Sequence, residues 1–322
     1  MKNKKIVFAV MFFLFAALIH GAELTDFSFE SGLGFLNGII IEDVWNVKVR
    51  NSGTTTTYTA TTRLSRLDWQ LQQAPFMSFE TSATFDRHFT VNFAFSNAFN
   101  GTIGIMEDFD WKITSEPDHL TNYSVHLLNL QSFYFIRTDL GYKFRLNTKR
   151  PFSITPLFGL EVYGFDFCGV SGYKLYESEG WEKVFWKKDE IVIQYMQYYF
   201  APRASLALDW DFAKHFGAAI KLGAVYSHLY HAYDFHESKS TFYDDRIHNA
   251  WFFDGVLQLY VKINDMNKIG LKGSINYMPQ TYAFTHISYD SKTEYSELPL
   301  GRSLGGTSRL LWTYALTYTF KF

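Results

Sequence analysis

The stretch Leu310-Leu311-Trp312-Thr313-Tyr314-Ala315-Leu316-Thr317-Tyr318-Thr319-Phe320-Lys321-Phe322 decides how the rest of the chain reads. In an extended backbone Leu310, Trp312, Tyr314, Leu316, Tyr318, Phe320 and Phe322 share one face, while Thr313, Ala315, Thr317, Thr319 and Lys321 share the other. A face that is wholly apolar and largely aromatic, backed by small and polar residues, suits a strand with lipid on one side and a polar interior on the other. The aromatic last residue is similar to the ending that bacterial barrel-assembly machinery reads.

Upstream the same period of two returns at Phe89, Val91, Phe93 and Phe95, separated by Thr90, Asn92, Ala94 and Ser96, and at Leu67, Trp69 and Leu71 around Asp68 and Gln70. Ten such segments are expected, near residues 26–45, 58–85, 88–108, 122–146, 152–168, 190–211, 216–235, 247–264, 268–288 and 308–322. Short connections rich in turn residues, such as Asp86-Arg87-His88 and Asn147-Thr148-Lys149-Arg150-Pro151, alternate with longer polar ones. That alternation matches periplasmic turns and extracellular loops, so the odd-numbered strands run outward. About 9–11 residues suffice to cross the membrane, and many of these segments are longer, so the surplus should project above the outer surface. The fold expected is all-β: a ten-stranded antiparallel transmembrane β-barrel extending above the outer membrane surface.

The beginning of the chain supports export. Met1-Lys2-Asn3-Lys4-Lys5 precedes an apolar run from Ile6 to Ile19, and His20-Gly21-Ala22 leads to Glu23. Basic start, short apolar centre and small residues at the end make residues 1–22 a signal peptide, with the apolar run too short for a spanning helix of roughly 20 residues. Residues 23–322 then form a single barrel domain with no linker. The signal carries three lysines and no acid, so the formal charge of −2 falls to about −5 in the mature chain. Neither nucleic acid nor an anionic membrane surface is suggested as a partner. The single cysteine, Cys168, excludes an internal disulfide. Aromatic residues make up 19% of the chain, more than a soluble core requires.

Two short patterns carry chemistry. Asp108 and Asp110, in Glu107-Asp108-Phe109-Asp110-Trp111, point to one side of a strand, as do Asp234 and His236 in Asp234-Phe235-His236. Both lie at outward ends in the expected topology. Two close carboxylates hold a proton more readily than one, and a histidine beside an aspartate has its tautomer fixed and its imidazolium stabilised. A water between the pairs could attack an amide carbonyl. Parity places Asp108 and Asp110 inside, because the odd-numbered residues of that strand are the aromatics. It places Asp234 and His236 outside, since Phe216, Ile220, Leu222 and Tyr226 are even-numbered, and an inward position requires a bulge.

These anchors resemble the omptin family of ten-stranded outer-membrane endopeptidases over most of the mature chain. Leu67-Asp68-Trp69 looks like the family's second-strand segment, Glu107-Asp108-Phe109-Asp110-Trp111 like its Asp-x-Asp-Trp motif, Asp234-Phe235-His236 like its Asp-x-His, and Tyr318-Thr319-Phe320 like its terminal Tyr-Thr-Phe with two residues appended. The resemblance implies an acidic couple at Asp108 and Asp110, a water-activating pair at Asp234 and His236, and neither metal nor covalent acyl-enzyme. It also implies peptide or protein substrates with basic residues, bound through Glu42 at the outer end of the first strand and through Asp118. A monomer in contact with outer-membrane lipid is expected. Two departures stand out. Ala232 occupies the place of an acid two residues before Asp234, so preference for arginine just before the cut bond should be weakened or altered, and Tyr198 stands where the family presents an arginine to lipopolysaccharide, so binding of that lipid should be weak or dispensable.

Other readings use the same residues. His228, His231 and His236 lie close in sequence, but His228 and His231 face opposite sides and no Glu or Cys has ligand spacing, so no metal site is expected. A non-catalytic adhesin or receptor, binding through loops such as Tyr173 to Trp186, shares every fold-level feature. A pore is disfavoured because ten strands leave an interior mostly filled by side chains.

Overall fold

The computed structural model describes residues 22–52, 54–113, 115–147, 151–237, 241–289 and 303–322. Residues 1–21 of the expected signal peptide and residues 148–150 of one expected turn lie outside that set. Thirteen strand segments are present among the described residues: β1 (Leu24–Ser52), β2 (Thr55–Phe85), β3 (Phe89–Ala98), β4 (Gly101–Asp110), β5 (Asn122–Tyr142), β6 (Phe144–Asn147), β7 (Phe152–Tyr176), β8 (Lys183–Phe185), β9 (Ile191–Trp210), β10 (Phe216–His236), β11 (Thr241–Lys262), β12 (Asn267–Tyr289) and β13 (Ser303–Lys321).

They build ten staves. β3 and β4 are two lengths of one stave interrupted at Phe99-Asn100, β6 continues β5 beyond Lys143, and β8 only edges the end of β7. Neighbouring staves are antiparallel, and β1 pairs with β13 from Ser28 opposite Lys321 to Asn46 opposite Ser303. That last pairing closes the sheet and leaves no long edge unpaired. Between β2 and β3, Asp86 and Arg87 both take positive φ, 49° and 65°, the backbone a two-residue hairpin turn requires.

Several staves outrun the expected limits. β1 continues to Ser52 rather than ending near 45, β7 reaches Tyr176, and β11 starts at Thr241 instead of 247. Along these extra lengths backbone pairing persists without the continuous apolar face that reveals a strand in sequence. Glu42 accordingly sits within β1, not at its outer end.

The outward face of the other half is greasy, with Leu33, Phe158, Phe200, Leu222, Leu271 and Leu316 all more than half exposed. The interior is layered. Lowest is a polar cavity of about 380 Å³ reached by Glu30, Glu80, Arg137 and Lys272. Next, Arg203 is fully buried and bridges Asp139, Glu161 and Asp254 at 2.9, 3.3 and 3.0 Å. Above this ionic layer an aromatic plug fills the lumen. Tyr199 stacks on Phe252 at 4.4 Å and Phe165 on Phe167 at 4.4 Å, while the Arg309 guanidinium lies 4.0 Å from the Tyr163 ring centre. Trp69, wholly buried, stacks on Tyr195 at 5.2 Å and forms the floor of the upper chamber. An interior so filled leaves no continuous channel through the described residues.

Candidate active site

β4 brings the first pair. Met106 is buried inside, and strict alternation from it carries Asp108 and Asp110 inward. Their common side is evident from Tyr176, whose hydroxyl is pushed up to about 12 by burial and then by the two carboxylates together. The intervening residues go outward: Glu107 accepts hydrogen bonds from Tyr123 and Gln70, both at 2.6 Å, and Phe109 packs on Tyr123. Asp110 is paired with Lys112 at 3.1 Å. Opposite Asp108 on β5 stands Ser124, whose hydroxyl lies 3.0 Å from His126 Nε2. His126 Nδ1 approaches the Ser171 carbonyl at 2.6 Å, so Nδ1 carries the hydrogen and Nε2 accepts from Ser124. Burial lowers the His126 pKa and keeps this ring neutral.

The second pair depends on a phase change. On β10, Gly217, Val225 and Ser227 are buried, then His228 and Leu229 are both exposed, and beyond them Tyr230, Ala232 and Asp234 are buried. Inward parity switches from odd to even. β11 makes the same switch at His248 and Asn249, with Asn249 at φ 61°, and β12 makes it between Met278 and Ala283. These three strands carry one extra residue each and stay in register with one another; the shift is taken up against β9, between Val225 and His231, and against β13, between Met278 and Thr281. The bulge that the Asp234-x-His236 reading required is thus present, shared by three strands.

Asp234 is 5% exposed, and its Oδ2 lies 2.7 Å from His236 Nε2. An ionised carboxylate only accepts, so this contact assigns the Nε2 hydrogen to His236 and makes Nδ1 its basic nitrogen. His236 also meets Tyr243 edge to face at 5.4 Å.

Glu42, 4% exposed, completes the cluster. It faces Leu67 on β2, itself opposite Asp108, and so lies between the two pairs. Burial first, and then the charges of Asp234, Asp245, Asp108 and Asp43, hold its pKa well above the usual carboxylate range. Asp245, on β11, is pushed up to about 7 by burial and by Asp234 and Asp244, against the hydrogen bond it receives from Thr285. Asp108, Asp234 and Glu42 are therefore brought to one chamber, Asp110 flanks it, and Asp118 is exposed in the turn after β4. Sequence reasoning missed Asp245: it has no i, i+2 partner in a recognisable pattern, and only the β10–β11 register reveals its neighbours.

A family model described as the Omptin family matches residues 23–320. Among solved structures, the chain is similar to the outer membrane protease OmpT from Escherichia coli, with 16% identity, 94% of this chain and 98% of that chain covered, and a TM-score of 0.78. That likeness is one of fold. The outer membrane protein OprG from Pseudomonas aeruginosa matches at 11% identity over 94% of this chain and 99% of that one, with a TM-score of only 0.35. No curated protein sequence gives a significant match.

Proposed function

The chain belongs to the omptin family, and from that premise we propose an endopeptidase of the bacterial outer membrane that hydrolyses peptide bonds with a water held between Asp108–Asp110 and Asp234–His236. The observation that carries this reading is the buried Asp234 carboxylate 2.7 Å from His236 Nε2, on the same chamber as Asp108 and Glu42. His236 Nδ1 takes the proton of the attacking water, and Asp234 stabilises the imidazolium that results. Asp108 and Asp110 orient that water and hold a proton for the leaving amine. The chemistry needs no metal and no covalent intermediate.

The chamber opens at the end of the barrel away from the greasy band, so we place it on the extracellular side, with the barrel acting as a monomer. Its carboxylates favour basic peptides, Glu42 binding a basic side chain and Asp118 adding charge at the entrance. Tyr198 supports the proposal that lipopolysaccharide is dispensable. It stacks on His231 at 5.3 Å and its hydroxyl meets that of Tyr233 at 2.8 Å, an outward aromatic patch in place of a cation.

The test is cleavage of a peptide library rich in dibasic sites by the mature chain refolded in detergent, with and without lipopolysaccharide, beside Asp108→Ala and His236→Ala. Cleavage by the parent and its loss in both folded variants upholds the reading. A folded parent that cuts nothing under either condition favours the adhesin or receptor, and activity only after lipid addition overturns the proposal about lipopolysaccharide.

A further inference from the structure

Buried carboxylates in this barrel normally have a cation of their own. Asp139, Glu161 and Asp254 share Arg203, and Lys272 bridges Glu30 and Glu80 at 2.8 Å each. The upper chamber breaks the rule. Among the described residues no lysine or arginine is ion-paired with Glu42 or Asp245, both about as buried as Asp139, Glu161 and Asp254. Glu42 Oε2 and Asp234 Oδ1 are enclosed with no hydrogen-bond partner among the described residues. Ionising a buried carboxylate with no cation beside it costs several kcal/mol, so these groups ionise most readily when a cation from outside the chain joins them.

Asp245 is directly opposite Ala232 across β10 and β11, and Ala232, 2% exposed, contributes only a methyl group there. The Asp245 Oδ1 accepts a hydrogen bond from Thr285 at 2.5 Å. Its carboxylate lies against Gly305 on β13, where an added Cβ would come within 2.3 Å of Oδ2. Glycine at 305 therefore keeps the room that lets the carboxylate lie inward. Below it, Tyr195, Gln197 and Thr307 form a hydrogen-bonded floor, with Gln197 Nε2 2.7 Å from the Tyr195 hydroxyl and 3.0 Å from Thr307 Oγ1.

We infer that Asp245 is the second carboxylate of the pocket that takes a basic substrate side chain, acting with Glu42 and replacing across the strand pair the acid that position 232 lacks. The inference rests on the endopeptidase reading and deepens it by naming a specificity-determining residue. A guanidinium between Glu42 and Asp245 would supply the charge and the donors that the enclosed oxygens lack.

The experiment uses paired peptides that differ only in arginine or citrulline, the latter matching its shape without its charge. They are offered to the parent, to Asp245→Asn and to Asp245→Asn combined with Ala232→Asp. The expected result is a strong preference for arginine in the parent and a fall of at least about tenfold in the arginine-to-citrulline ratio of kcat/KM in Asp245→Asn, carried mainly by KM. Moving the carboxylate to position 232 should restore part of the ratio, which a merely structural role for Asp245 would not. An unchanged ratio in the folded Asp245→Asn barrel overturns the inference and leaves the protease standing. If the parent cleaves neither peptide, the protease reading fails, and tighter binding of the arginine peptide to the parent than to Asp245→Asn decides the pocket separately.

Discussion

Asp234 Oδ2 and His236 Nε2 are 2.7 Å apart although the two residues begin on the wrong parity for the barrel interior. The pair faces the interior because β10 gains one residue at His228-Leu229 before it reaches them. An aspartate so enclosed fixes the imidazole and supports its charge, so Asp234→Asn and His236→Ala should each lower kcat by about 10²- to 10⁴-fold. Rates on a dibasic peptide, with folding checked by heat-dependent gel mobility, measure this.

The phase change has its own vulnerable point at Asn249, which combines φ 61° with a hydrogen bond from the Tyr226 hydroxyl. A β-branched residue tolerates that backbone poorly. Asn249→Ile should destabilise the barrel by about 1–2 kcal/mol and reduce activity by disturbing the upper parts of β10 and β11. Urea unfolding in lipid vesicles, read by tryptophan fluorescence, provides the comparison.

Asp245 links stability to pH in an unusual direction. Its folded pKa of about 7 lies above the unfolded value of about 3.9. The folded chain thus holds the extra proton between these values, and the stability this confers is present at low pH and lost as pH rises through 7, on the order of a few kcal/mol. Glu42, also raised, adds in the same sense. Asp245→Asn should flatten the slope between pH 4 and 7, measured as the urea midpoint across that range. In the parent, preference for arginine over citrulline should grow as pH rises through about 7, because only the ionised carboxylate attracts the guanidinium.

Deeper in the lumen, Arg203 is the one cation that contacts all three of Asp139, Glu161 and Asp254 among the described residues. Arg203→Met keeps much of the volume and leaves three carboxylates to two cations, Lys221 at 2.8 Å from Asp139 and Arg137 at 3.4 and 3.6 Å from Glu161 and Asp254. A loss of about 3–5 kcal/mol is expected. Adding Asp139→Asn and Asp254→Asn should recover part of it, which equilibrium unfolding of the single and triple variants would reveal.

How far the sequence went is clearest stave by stave. β13 and β3 were legible because each carries an apolar outward face against a small or polar inward one, and lipid on one side enforces that alternation. Asp108 and Asp110 could be set inside by counting from Phe89, since the interruption at Phe99-Asn100 and the irregularity at Gly104 leave the count even on both sides. The upper ends of β1, β7 and β11 were not legible, because water on the outside and a polar chamber within remove the contrast between faces.

The sequence by itself therefore determined the aromatic, period-two chain, its ten staves, and the two i, i+2 pairs that look catalytic. Only the tertiary structure decided which way Asp234 and His236 face, because an extra residue shared by β10, β11 and β12 leaves no mark in the pattern of any one strand. Asp245 belongs to the same class: its partners Ala232, Thr285 and Gly305 lie on three different strands. Their meeting depends on strand register, which is set by the pairing of whole strands around a closed ring and not by the residues beside Asp245 in the chain.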